Sequence, residues 1–111
     1  DMPSVYYRTG DPYWVRVLFS STSSDTRVDY PLFAILEVYG EMFFWPNLTH
    51  EIEYGLVTIP PGNSEVEIIA PFLWPPGAGE AENILWLAGL TDPGLTNVVG
   101  NIDMVTFGWG P

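Results

Sequence analysis

The 111-residue chain has no cysteine and no lysine, and its only cations are Arg8, Arg16 and Arg27. Without cysteine there is no disulfide framework and no thiol chemistry. Against three arginines stand 14 acidic residues, which gives a formal net charge of −11. Such a chain repels phosphate backbones and anionic lipid surfaces, so nucleic acid is excluded as a partner. Neutral or cationic partners remain: sugars, metal ions such as Ca²⁺, or further copies of the chain. No apolar run approaches the ~20 residues of a membrane span and no basic-then-apolar leader is present, so membrane insertion is not expected.

What is present points to a packed domain rich in turns. Hydrophobic residues make up 47% and aromatic residues 15% of the chain, values that belong to a globular domain rather than a disordered one. Eleven glycines and eleven prolines break it into short segments. Short strands tolerate such punctuation better than long helices. A chain of this length reads as one domain, residues 1–111.

The longest nearly uninterrupted apolar run is Tyr30 to Pro46. It is too long for one strand and too β-branched, aromatic and glycine-broken for a helix, so it reads as a strand from Leu32 to Tyr39, a turn at Gly40-Glu41, and a second strand from Met42 to Trp45. Leu32, Ala34, Leu36 and Val38 alternate with Phe33, Ile35 and Tyr39, so the first strand is apolar on both faces. A strand of that kind is expected to be central and covered on both sides. Asn83 to Leu90 has the same character and is expected to be a second central strand.

The remaining segments supply the neighbours. Ser4 to Arg8 reads as a short edge strand, and Tyr13 to Ser20 alternates cleanly with Tyr13, Val15, Val17 and Phe19 toward the core. Ile52, Tyr54 and Leu56 alternate with Glu51 and Glu53 in a half-exposed strand that runs on to Ile59. Pro60-Pro61-Gly62-Asn63 forces a reversal, Ser64 to Phe72 follows, and Val98 to Trp109 closes the chain with a break at Gly100-Asn101. Seven or eight strands without a helical period predict an all-β fold, an antiparallel sandwich of two sheets.

With these elements in place the chain resembles immunoglobulin-like β-sandwich modules of bacterial secreted and surface proteins. The likeness rests on Gly10-Asp11 before a strand, Val28-Asp29 leading into the central strand, Tyr39-Gly40 to Phe44-Trp45-Pro46, an Ile59-Pro60-Pro61-Gly62 hairpin, and Leu90-Thr91-Asp92-Pro93-Gly94 with Phe107. The Cys…Trp…Cys pattern of antibody domains is absent. The resemblance implies an exported, non-catalytic module at the cell surface or outside the cell. The opening at Asp1 without an initiator Met is read the same way, as expected of a processed protein.

Candidate chemistry is sparse. His50 is the single histidine, sits beside Glu51 in a polar loop, and lacks a G-x-S-x-G or comparable nucleophile motif, so a hydrolytic triad is not expected. The pairs Glu51/Glu53, Glu65/Glu67 and Glu80/Glu82 read as the wet faces of strands and a loop rather than glycosidase carboxylates. Asp92 and Asp103 are weak candidates for calcium, because carboxylates and turn carbonyls are hard oxygen ligands, but no D-x-D-x-D-G loop exists. Asn47-Leu48-Thr49 fits the N-glycosylation pattern.

The aromatics offer more. Trp86 lies within an apolar strand and is expected in the core. Trp14, Trp45, Trp74 and Trp109 lie at loop mouths, at the terminus or beside Arg16, where they either stack on a sugar, bury against a neighbouring subunit, or plug the ends of the core. Val5, Tyr7 and Phe107 join them as interface candidates at the two ends of the chain. Two functional readings result. The first is a structural or adhesive module that self-assembles as a homo-oligomer or a filament, and the alternative is a carbohydrate-binding module.

Overall fold

The computed structural model describes residues 1–111, with strands throughout and no helix. The strands are β1 (Tyr6–Tyr7), β2 (Pro12–Ser21), β3 (Arg27–Val38), β4 (Glu41–Phe44), β5 (Gly55–Ile59), β6 (Gly62–Leu73), β7 (Ala81–Thr91) and β8 (Val98–Trp109). The turn-forming residues set their ends. Tyr39 and Gly40 both take left-handed backbone angles, with φ of 48° and 85°. Val38 pairs with Glu41 across them, so they form a two-residue hairpin turn whose twist matches the flanking strands. The reversal thus falls one residue earlier than Gly40-Glu41. A side chain at that φ is costly, and the Tyr39 hydroxyl offsets part of the cost by accepting a hydrogen bond from the Glu82 backbone N–H at 3.0 Å.

The strands form two sheets. The larger has the order β1-β8-β7-β3-β4, with β5 also paired to β3. β4 takes Ile35 to Val38 and β5 takes Arg27 to Leu32, so the long β3 carries two short strands end to end along one edge. β7 takes its other edge. The smaller sheet is the antiparallel pair β2-β6. β3 and β7 are central, as their doubly apolar patterns predict. A two-residue turn joins β3 to β4 and the loop Asp92–Asn97 joins β7 to β8, while the Ser/Thr-rich, Pro-Pro and Trp-Pro-Pro-Gly segments carry the chain between sheets. Ile59-Pro60-Pro61-Gly62 is therefore a crossing from β5 in one sheet to β6 in the other, not a hairpin.

Antiparallel pairing does not hold throughout. β1 runs parallel to β8, with Tyr6 opposite Gly108 and Tyr7 opposite Trp109. A parallel pair cannot be joined by a tight turn, and here none is required because the partners are the first and last strands. The sheet is mixed as a result. Upstream of β1 the chain touches the other sheet, where Asp1 and Arg16 exchange two backbone hydrogen bonds.

One core serves both sheets. Its 13 buried residues include Tyr13, Val15 and Ile68 from the smaller sheet and Leu32, Ala34, Ile84, Trp86 and Phe107 from the larger. Burying each large side chain contributes about 2–3 kcal/mol. The Trp86 Nε1–H donates to the Tyr13 hydroxyl at 2.9 Å, joining the sheets through the core and leaving neither polar group unpaired. Burial holds the Tyr13 hydroxyl far above its ordinary pKa, so it stays a neutral acceptor.

β5 reverses the face that the alternation suggests. Val57 and Ile59 are buried, whereas Ile52, Tyr54 and Leu56 are exposed. The register is set by Gly55, which pairs with Leu32 on the core side and lies directly beneath the Trp45 ring. A Cβ at position 55 would overlap that ring. Gly55→Ala is accordingly expected to destabilise the fold by about 1–3 kcal/mol through overpacking. Gly94→Ala, where a Cβ meets nothing closer than 3.9 Å, should change stability by less than about 0.5 kcal/mol. Urea denaturation of both variants checks this, and equal effects would remove the register role assigned to Gly55.

Candidate functional site

Aromatic side chains cluster at one end of the core. Tyr7 lies 4.8 Å from Tyr13 and 5.6 Å from Trp74, ring centre to ring centre, and Trp74 lies 5.1 Å from Trp109. Phe107 packs 5.6 Å from Tyr13 and 5.9 Å from Trp109. The chain termini are pinned here by the parallel pair: Gly108 N–H donates to the Val5 carbonyl and Gly110 N–H to the Tyr7 carbonyl. Trp109 Nε1–H donates to the Ala78 carbonyl at 3.0 Å, closing the Gly-rich loop before β7 over the cluster.

This arrangement corrects the reading of Tyr7 and Phe107 as groups offered to a partner. Tyr7 is fully buried and Phe107 nearly so. The Tyr7 hydroxyl is used locally, donating to the Ser4 carbonyl at 2.7 Å and accepting from the Ser4 N–H at 3.0 Å. Trp74 and Trp109 are half-buried against the same core. Of the terminal candidates only Val5 stands in solvent, at 68% exposure.

The other two tryptophans are also engaged. Trp45 covers Gly55 and packs on the core. Trp14 is half-buried, with the Arg16 guanidinium 4.2 Å above its ring. Arg8 and Arg27 lie over Tyr6 and Tyr30 in the same manner, so all three cations of the chain rest on aromatic faces. The rings of Trp74 and Trp109 meet at 44°. No coplanar exposed row of tryptophans forms.

The polar candidates do not converge. His50 Nδ1 sits 3.1 Å from the Met42 carbonyl and the ring packs 4.6 Å from Phe43, which staples the loop after β4. The Asn47 side-chain amide donates to Glu53 at 2.9 Å. Asp103 lies in β8 opposite Ala88, while Asp92 organises the turn between β7 and β8. The Asp92 carboxylate accepts bonds from the Thr96 N–H and hydroxyl, each at 2.8 Å, and from Asn97 at 3.2 Å. No three acidic or histidine side chains gather as a metal site. The most apolar recess, of about 530 Å³, lies between β2 and β8 beneath the Asp1–Val5 segment and has Trp86, Val15 and Val105 among its walls.

The feature that sequence reasoning missed is the outer face of the larger sheet. In β7 the buried Ile84, Trp86 and Leu90 alternate with Leu85, Leu87 and Gly89, which point away from the core. In β3 the buried Leu32 and Ala34 alternate with Phe33 and Ile35. No second sheet covers this face, contrary to the expectation that both sides are covered; only the Tyr54 ring lies against it, at Phe33. The signal was legible in the doubly apolar strands. What it could not reveal is that the outer side stays open.

Asp92 offers a direct test of the turn. Hydrogen bonds from Thr96, and then from Asn97, hold its carboxyl below the ordinary aspartate value of 3.8. A depressed value means that the charged turn stabilises the fold above the unfolded pKa and loses that contribution as pH falls through the folded one. The Thr96 amide resonance should therefore titrate with a midpoint below 3.8. A midpoint at or above that value would overturn the assignment.

No protein-family model, characterised protein or solved structure matches this chain at a significant level.

Proposed function

We propose that the chain is an immunoglobulin-like β-sandwich module, extracellular or at the cell surface, with a structural or adhesive role, that acts by associating with copies of itself rather than by catalysis. The fold assignment is supported by the pairing of β2 with β6 against a sheet ordered β8-β7-β3-β4, which follows the strand order of such modules. The leading segment, bonded to β2 at Asp1 and to β8 at β1, is shared between the sheets.

One observation carries the functional reading. Large apolar residues in solvent outnumber the 13 residues of the buried core cluster. A lone small domain has no use for so much wet apolar surface, whereas an assembling one hides it. The carbohydrate alternative, which would use exposed Trp or Tyr, is favoured by a coplanar exposed row of rings. Here Trp14 lies under Arg16, Trp45 covers Gly55, and Trp74 and Trp109 are tilted into the core end.

At net −11 the copies repel one another, and screening or protonation relaxes that repulsion. Sedimentation of the full chain should show association that strengthens from low salt to about 0.5 M NaCl and again as pH falls from 7 toward about 4. Electron microscopy of the associated state distinguishes filaments from closed oligomers. A monomer under every condition would end this reading, and saturable binding to a glycan panel by that monomer would favour the carbohydrate module.

A further inference from the structure

We infer that the outer face of the larger sheet is a self-association surface, on which a second copy of the chain docks face to face about a two-fold axis. The inference rests on the self-assembly proposed above and names the surface that performs it. Three successive pairings place Met104, Leu87, Ile35 and Phe44 side by side in one row across four strands. Side chains paired in this way point to the same side, and Leu87 and Ile35 alternate with buried neighbours, so the whole row faces outward. A parallel row on one flank holds Gly89 beside Phe33, with Ile102 against Gly89 and the Tyr54 ring 5.1 Å from Phe33. The row on the other flank runs Thr106, Leu85, Glu37 and Met42.

Antiparallel sheets that face water normally carry polar residues on the wet side. Within these three rows the only charge is Glu37. Met104 and Ile102 are 68% and 58% exposed, at the β8 end of the central row and on one flank of the patch. The outer face of the smaller sheet differs, because there Arg16 pairs with Glu67 and Leu18 with Glu65. In a chain with 14 acids and three cations, two copies approach with least repulsion through the surface that carries a single carboxylate. A like copy is thus a better occupant than any cationic partner, which would be drawn to the acidic surfaces instead.

Size sets the strength. Four strands about 4.8 Å apart and three rows about 7 Å apart make a patch about 20 Å on each side. Its area of about 400 Å² is half of the roughly 800 Å² per partner in a standard interface, though its methionine and aromatic content is that of an interface centre. A contact of this size falls at the low end of protein interfaces, the range of weak and transient association.

Sedimentation of the full chain in about 0.5 M NaCl tests the assignment with three variants whose folds are checked by circular dichroism. Met104→Glu adds a charge to the central row at an exposed position and should weaken association at least about tenfold. Leu18→Glu adds the same charge to the smaller sheet's outer face and should change it less than about twofold. Glu37→Gln removes the one charge of the patch and should tighten association several-fold. If the unaltered chain associates but Met104→Glu and Leu18→Glu behave alike, the surface is wrong while self-assembly stands. If the unaltered chain is monomeric throughout, both fall.

Discussion

A sheet of two strands cannot cover a sheet several strands wide, and most of what is unusual in this fold follows from that mismatch. β2 and β6 span about 10 Å, whereas β8, β7, β3 and the β4/β5 edge span about twice that. The uncovered inner face must be closed by something other than a strand. Beyond β3 the loop after β4 closes it, with Trp45 and Leu48 packed on the core and Gly55 kept bare to admit the indole. On the other flank Met2 packs against the core from the segment tied to Arg16. At the end of the core, Trp74 and Trp109 complete the seal. Loops that do the work of strands have to be apolar and aromatic.

That division of labour explains which parts of the structure were legible in the sequence. Alternation identified Tyr13 and Val15 as core residues and β3 and β7 as central, because in those strands a pleat with a buried face leaves a period of two. The same logic failed at β5, where Ile52, Tyr54 and Leu56 compete with Val57 and Ile59 for the inner side. Both parities are apolar, and only the Trp45–Gly55 contact, distant in pattern terms, selects one. The Pro60-Pro61-Gly62 reversal was legible as a turn but not as a change of sheet, since a turn signal says nothing about which edge the next strand joins. Tyr7 looked like an edge aromatic because a two-residue strand leaves no periodicity to read. Its burial comes from partners distant in sequence: Phe107, brought near by the parallel pairing of the chain's two ends, and Trp74, held by backbone hydrogen bonds to Gly10 and Asp11.

Charge and apolar surface work against each other in this molecule, and their balance bears on the proposed assembly. The three guanidinium groups lie over Tyr6, Trp14 and Tyr30, where they shield aromatic faces. The edges of the β2-β6 pair are largely open to pairing with another chain, apart from the bonds between Asp1 and Arg16. Proteins commonly guard such edges with lysine. Lacking lysine, this chain relies on the irregular register of β2 against β6, on Pro12 and Pro71, and on its net negative charge to oppose edge-to-edge contact, and the charge has a longer reach than any side chain at low salt. A sheet face with one carboxylate is the place where this repulsion is weakest. In the proposed assembly, the same excess of acid that discourages random strand pairing would also favour face-to-face docking over edge addition.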